Sequence, residues 1–184
     1  MRIILSAALT AVLAITATAV DIVIYPNSVS CDDNSSGLLC RNIPAFDCCE
    51  NGGGDIFSAR CSGLDTTGVP DICTIDVGTN PNPCATNCNA ASGSSIICID
   101  PGNCPAGTGS FWISGSRVVE MKVPAQCESS RKPDTAFFAN GQRFRINYDV
   151  PANITALLVD LVKTDPSLSN GAPDAAIAYE IKEA

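Results

Sequence analysis

Apolar and polar positions alternate most clearly over residues 143 to 150, RFRINYDV, where Phe144, Ile146, Tyr148 and Val150 interleave with Arg143, Arg145, Asn147 and Asp149. A period of two sends the two sets to opposite faces, which predicts a half-buried strand. The run VVEMKV, 118 to 123, places Val119, Met121 and Val123 in phase, and AIAYEI, 176 to 181, does the same with Ile177, Tyr179 and Ile181. Near the start, VDIVIY over 20 to 25 is an apolar strand-type segment closed by Pro26. LLVDLV, 157 to 162, fits a buried strand or part of a short helix, because so brief an apolar run carries little phase information.

Prolines 26, 124, 151 and 166, with Asn140-Gly141 and Asn170-Gly171, punctuate these segments. Several short strands with abundant turn residues predict an all-β protein, a single disulfide-braced β-sandwich or compact barrel with long irregular loops. One secreted domain over 20–184 is expected after a leader over 1–19. The alternative arrangement is a cysteine-rich module, 20–127, followed by a small C-terminal sheet, 128–184.

The leader is read from MRIILSAALTAVLAITATAV. Arg2 gives a positive start, Ile3 to Ile15 an apolar run, and Ala17-Thr18-Ala19 a small-residue cleavage site. No later segment is long and apolar enough to span a membrane. A secreted, extracellular protein is therefore expected, and that setting changes the meaning of the cysteines. All eleven fall between Cys31 and Cys127: Cys31, Cys40, Cys48, Cys49, Cys61, Cys73, Cys84, Cys88, Cys98, Cys104 and Cys127. In an oxidising compartment they predict a disulfide framework with one sulfur left for a buried thiol, a mixed disulfide or a disulfide-linked dimer. Cys73 and Cys127 are the candidates for the odd cysteine. Cys48 and Cys49, adjacent in an extended segment, are expected to point to opposite sides and reach different partners. Asn34 and Asn153 stand in N-x-S/T tripeptides, acceptors for N-linked glycan that would make the chain a glycoprotein.

With a net charge of -8 and no concentrated basic run, the chain does not resemble a nucleic-acid binder. It contains no histidine, which excludes Ser-His-Asp, Cys-His and histidine-metal centres. The glycines of FDCCENGGGD, 46 to 55, are followed by Asp55 and lack the Lys and Ser or Thr of a phosphate loop, so they are read as a turn held by the cysteines. No metal site and no cofactor are predicted, and no catalytic residue is assigned. Paired carboxylates stay open as a hydrolytic chemistry, with Asp32, Asp33, Asp47, Glu50, Asp55 and Asp160 as sources. Trp112 with Phe111, placed after a Gly-rich approach, is the candidate ligand platform, where an aromatic face stacks on a sugar; the competing reading is a core anchor.

The run YPNSVSCDDNSSGLLCRNIPAFDCC, Tyr25 to Cys49, resembles the opening of small cysteine-rich secreted proteins of filamentous fungi. Cys31, Gly37, Cys40, Asn42, Ile43, Pro44 and Cys48-Cys49 carry the likeness, and Phe57 to Arg60 resembles a strand of a βγ-crystallin Greek key. The resemblance implies secretion and an interaction role and assigns no catalytic residues. The expected function is a non-catalytic secreted protein that binds a cell-wall glycan or an extracellular surface protein of a host. The alternative is a small extracellular hydrolase using paired carboxylates.

Overall fold

A computed structural model of the protein describes residues 19–32, 34–51, 54–79, 82–118 and 127–182. The expected leader, apart from Ala19, lies outside the described residues, as do Asp33, Gly52, Gly53 and all of the strand expected over 118–123 except Val118.

The chain runs β1 (Val20–Tyr25), β2 (Gly37–Ile43), β3 (Asp47–Glu50), β4 (Ser58–Ser62), β5 (Ile72–Thr79), β6 (Asn82–Ser92), β7 (Ile96–Ile99), β8 (Gly109–Ser110), β9 (Trp112–Ile113), α1 (Gly115–Val118), β10 (Ser129–Arg131), β11 (Thr135–Phe137), β12 (Arg143–Arg145), α2 (Ala152–Thr164) and α3 (Asp174–Ile177). The first sheet has the order β12-β11-β2-β1-β4-β7. The second has the order β10-β3-β8-β5-β6, with β9 also on β5. Neighbours in the first sheet are antiparallel, whereas β10 runs parallel to β3 in the second.

This corrects the all-β expectation. The fold is mixed α/β, with two open sheets and, among the described residues, three helices, of which α2 has 13 residues. LLVDLV belongs to α2. Its phase emerges only in a wider window, where Ile154, Leu158 and Val162 recur every four residues and are the buried positions of the helix. Pro151, extended and fixed in φ, precedes the first turn, and Pro173 does the same for α3. The alternation over 143–150 yields a strand only at 143–145. The chain then turns at 147–150, which leaves Tyr148 fully exposed although Ile146 and Val150 are buried. AIAYEI begins as α3 and touches β12 through a single bridge, Phe144 with Glu180.

One buried cluster draws on Val20, Ile22 and Ile24 of β1, Cys73 and Ile75 of β5, Phe144 of β12 and Leu158 and Val162 of α2. Both sheets and the C-terminal segment therefore share one core. Period-two geometry then assigns the two cysteines of β3 to different places: Cys49 enters this core, and Cys48 enters a smaller cluster with Phe46, Cys84, Phe111 and Ile113.

Disulfides join Cys31 to Cys98, Cys40 to Cys49, Cys48 to Cys84, Cys61 to Cys73 and Cys88 to Cys104, and Cys127 is a free cysteine. Cys40–Cys49 and Cys61–Cys73 each tie the first sheet to the second, β2 to β3 and β4 to β5. Cys48–Cys84 spans the second sheet from β3 to β6.

Candidate functional site

Residues directly opposed in an antiparallel ladder share a face of the sheet. In the first sheet Val23 opposes Leu39 and Arg60, Leu39 opposes Thr135, and Phe137 opposes Arg143. Val23, Leu39, Arg60, Thr135, Phe137 and Arg143 line a groove of about 310 Å³. Five neighbouring strands thus build one site on the face turned away from Ile22, Ile24 and Leu38. Its floor is apolar, with Phe137 packed edge-on against Tyr25 at a centroid distance of 6.0 Å. Two guanidinium groups belong to its walls, and Arg145, opposite Thr135, lies on the same face. At the rim Arg41 donates from Nε to Asp134 at 2.9 Å and from Nη2 to Thr135 Oγ1 at 2.8 Å. Among the described residues no carboxylate lines the groove.

The outer face of the second sheet is chemically different. Gly109 of β8 sits under the Cys48–Cys84 disulfide so closely that an added Cβ would collide with both sulfurs. Glycine is needed there for close approach. Cys127, just ahead of β10, brings its sulfur to the same place, and the Sγ atoms of Cys48, Cys84 and Cys127 all lie within 4.8 Å of one another. The disulfide withholds two of the three thiolates that a metal would require.

Asp76, opposite Gly109 on β5, is buried on this sheet. Its Oδ2 is 2.6 Å from Thr74 Oγ1, and Asn87 Nδ2 donates to Oδ1 at 3.2 Å. Thr74 Oγ1 also lies 2.9 Å from the Phe111 carbonyl oxygen. One hydroxyl proton cannot serve both acceptors. The arrangement is complete when the Asp76 carboxyl is protonated and donates to Thr74, which in turn donates to Phe111. Burial, opposed by the Thr74 and Asn87 hydrogen bonds, pushes the Asp76 carboxyl up to about 7, in keeping with this proton count.

The aromatic platform expected at Trp112 and Phe111 is not on the surface. Both are 1% exposed, Trp112 in the main core with Nε1 donating to the Ile43 carbonyl at 2.8 Å, and Phe111 in the smaller cluster. The Gly-rich approach that suggested a loop forms β8 and leads into β9, both held by β5. The carboxylate candidates are dispersed. Asp47 pairs with Arg131 at 2.9 Å, Asp32 accepts from the Asn34 backbone at 2.9 Å, Glu50 ends β3, and Asp55 and Asp160 are exposed. The corner at 46–55 turns on Phe46, whose φ of 70° is held by a buried ring under Arg117. Asn51 Nδ2 closes it by donating to the Asp55 carbonyl at 2.9 Å. Asn34 and Asn153 are both exposed, the latter in the first turn of α2.

The groove was not anticipated, although Arg143 and Arg145 on alternate positions of RFR signalled a cationic strand face. Asp76 had its own signal, an acid set inside CTIDV. Comparison of the chain with protein-family models, characterised proteins and solved structures returns no match, so function has to be argued from these residues.

Proposed function

We propose that this is a secreted, non-catalytic binding protein whose recognition surface is the outer face of the first sheet and whose ligand is an acidic glycan. The observation that carries the reading is the groove itself: Arg60 and Arg143 above an apolar floor of Val23, Leu39 and Phe137, on a chain of net charge -8. A basic groove on an acidic protein selects a negative ligand against the trend of the rest of the surface. Guanidinium groups recognise carboxylate or sulfate through paired, planar hydrogen bonds. The apolar floor accommodates the C–H face of a sugar ring, so that charge and shape are read together. The expected leader and the disulfide framework support an extracellular setting. A hydrolase working through paired carboxylates finds no support in this groove, because its lining supplies none among the described residues.

Calorimetric titration with a uronic-acid oligosaccharide, beside a neutral oligosaccharide of equal length, tests the reading. The acidic ligand should bind, and binding should weaken as salt screens the charges. Arg143→Gln should weaken it about tenfold, which corresponds to ~1.4 kcal/mol. Equal binding of the neutral sugar, or an unchanged affinity in the variant, would overturn the assignment. For the secreted setting, mass analysis of protein from culture medium should find a chain beginning near Val20, whereas retention in cells with Met1 intact would refute it.

A further inference from the structure

We propose that Cys127 is an internal exchange partner of the Cys48–Cys84 disulfide, so that the protein has a second crosslinked form in which Cys127 is bonded to Cys48 or to Cys84. The inference stands apart from the glycan reading and rests on the other sheet.

Three observations carry it. The three sulfurs lie within 4.8 Å of one another, so a modest side-chain rotation separates the thiol from contact with the disulfide. Cys127 is fixed there by the fold: Glu128 donates its backbone N–H to the Phe46 carbonyl at 2.8 Å, and β10 then runs parallel to β3 with Ser130 beside Cys48. The other four cysteines of β2 to β5, Cys40, Cys49, Cys61 and Cys73, are already committed to two staples between the sheets, and the remaining disulfides involve Cys31, Cys98, Cys88 and Cys104. Cys127 thus has one neighbouring disulfide with which it forms a cluster among the described residues.

The step needs no oxidant. Cys127 loses its thiol proton to solvent, and the thiolate sulfur bonds to one sulfur of the pair. The Cys48–Cys84 bond breaks, and the other sulfur leaves as a thiolate that takes a proton from water. One disulfide and one thiol exist before and after. Either product releases β3 from β6. A Cys84–Cys127 bond ties the start of β6 to the segment entering β10, whereas a Cys48–Cys127 bond ties that segment to β3.

The surroundings set the rate. The thiol donates to the Ser129 carbonyl at 2.8 Å, which fixes the position of its sulfur. Burial, and the charges of Asp76 on β5 and Asp47 on β3, push the Cys127 thiol up to about 11, although the Cys48 and Ser129 backbone contacts act in the other direction. Arg131 of β10 is engaged by Asp47 at 2.9 Å, and Arg117 of α1 lies over Phe46 and 3.9 Å from Glu128, so neither cation is committed to the sulfur. At neutral pH only about one molecule in ten thousand carries the attacking thiolate, and the rate rises about tenfold per pH unit. The fold keeps the exchange slow in a neutral medium and opens it in an alkaline one.

The test uses the full secreted chain, dilute and without reductant, incubated from pH 7 to 10, quenched in acid, then denatured, alkylated and mapped as unreduced peptides. At pH 7 the alkylated residue should be Cys127. Towards pH 10, alkylated Cys48 or Cys84 should appear together with the matching Cys127 disulfide, about tenfold faster per pH unit, with one thiol per chain throughout and circular dichroism unchanged. Asp76→Asn removes one opposing charge and should move the same profile to lower pH. Label confined to Cys127 at every pH in folded protein overturns the proposal. So does a Cys127–Cys127 dimer in place of the internal bond, or reshuffling that extends to the other four disulfides.

Discussion

The stretch from Cys31 to Cys104 and the stretch from residue 128 to 182 close the same core by different means. The first enters it through strands stapled across the sheets by Cys40–Cys49 and Cys61–Cys73. The second has no cysteine and is held by strand pairing of β10 with β3 and β11 with β2 and by packing, with Ile154, Leu158 and Val162 of α2 in one buried cluster with Leu38, Phe138 and Phe144. Crosslinks act largely by restricting the unfolded chain, so strands as short as β3, β4 and β7 can be secured without a long continuous apolar face. A region without them needs apolar area in a continuous face, and the 13 residues of α2 supply it. The difference explains why the only long helix among the described residues lies where the cysteines end.

Breaking the staples should have the largest effect. With Cys40, Cys49, Cys61 and Cys73 all changed to alanine, the loss should be about 2–4 kcal/mol for each bridge. Against a total of about 5–15 kcal/mol for an ordinary domain, that leaves little folded protein. Denaturant unfolding followed by tryptophan fluorescence reads it directly, since Trp112 is buried between the sheets. A combined loss smaller than that of a single core truncation would show that the staples are dispensable.

That truncation is Leu158→Ala, which probes the packed region. Leu158 is fully buried, and the change should cost about 3 kcal/mol, through lost burial and the cavity left behind. The disulfides stay intact, so the variant should unfold at lower denaturant with all five bridges mapped as in the parent. A cost below about 1 kcal/mol would place α2 among loosely docked surface elements instead.

The two regions also differ in how far the chain announces them. β1 was legible as VDIVIY because its apolar run and closing proline are local, and the divergence of Cys48 from Cys49 was legible because a period of two needs only two residues. Which cysteine pairs with which was not, since that depends on strand neighbours such as β4 and β5 that meet only in the fold. In the C-terminal stretch the six-residue window of LLVDLV hid a helix whose phase needs Ile154 as well. AIAYEI alternated, yet the fixed φ of Pro173 starts a helical turn at Asp174. The groove combines β1, β2, β4, β11 and β12, so its chemistry is distributed over more than a hundred residues of chain and becomes visible only in the register of the sheet. The platform reading of Trp112 fails, and the core-anchor reading holds, for a related reason: glycines that suggest a mobile approach serve here for close packing, Gly109 against the Cys48–Cys84 sulfurs.

The smallest expected effect sharpens the comparison through a charge. The stapled region contains a buried carboxyl, Asp76, raised from the ordinary 3.8 to about 7, chiefly by burial. Below the lower value the group is protonated in folded and unfolded chains alike and has no effect on their balance. Between the two values the folded chain keeps a proton that the unfolded chain has released, so stability falls as pH rises, and above about 7 the penalty is complete. The difference in pKa, in which the Thr74 and Asn87 hydrogen bonds are already included, sets an upper bound of about 4 kcal/mol, of which about 1.5 kcal/mol is lost below pH 5 and about 2–3 kcal/mol between pH 5 and 8. Asp65 and Asp165, lowered first by backbone hydrogen bonds from Thr67 and Ser169, contribute stability that is lost only as pH falls below the ordinary range, outside this window. Asp76→Asn keeps the shape and never ionises: its Nδ2 donates to Thr74 Oγ1, and its Oδ1 accepts from Asn87, the pattern of the protonated parent. The variant should unfold at nearly the same urea concentration at pH 5 and 8, so that its stability relative to the parent rises by about 2–3 kcal/mol between the two. Parallel loss of stability in parent and variant across that window would mean that Asp76 is already ionised at pH 5, with the Thr74 proton directed to it and the Phe111 carbonyl left to other donors.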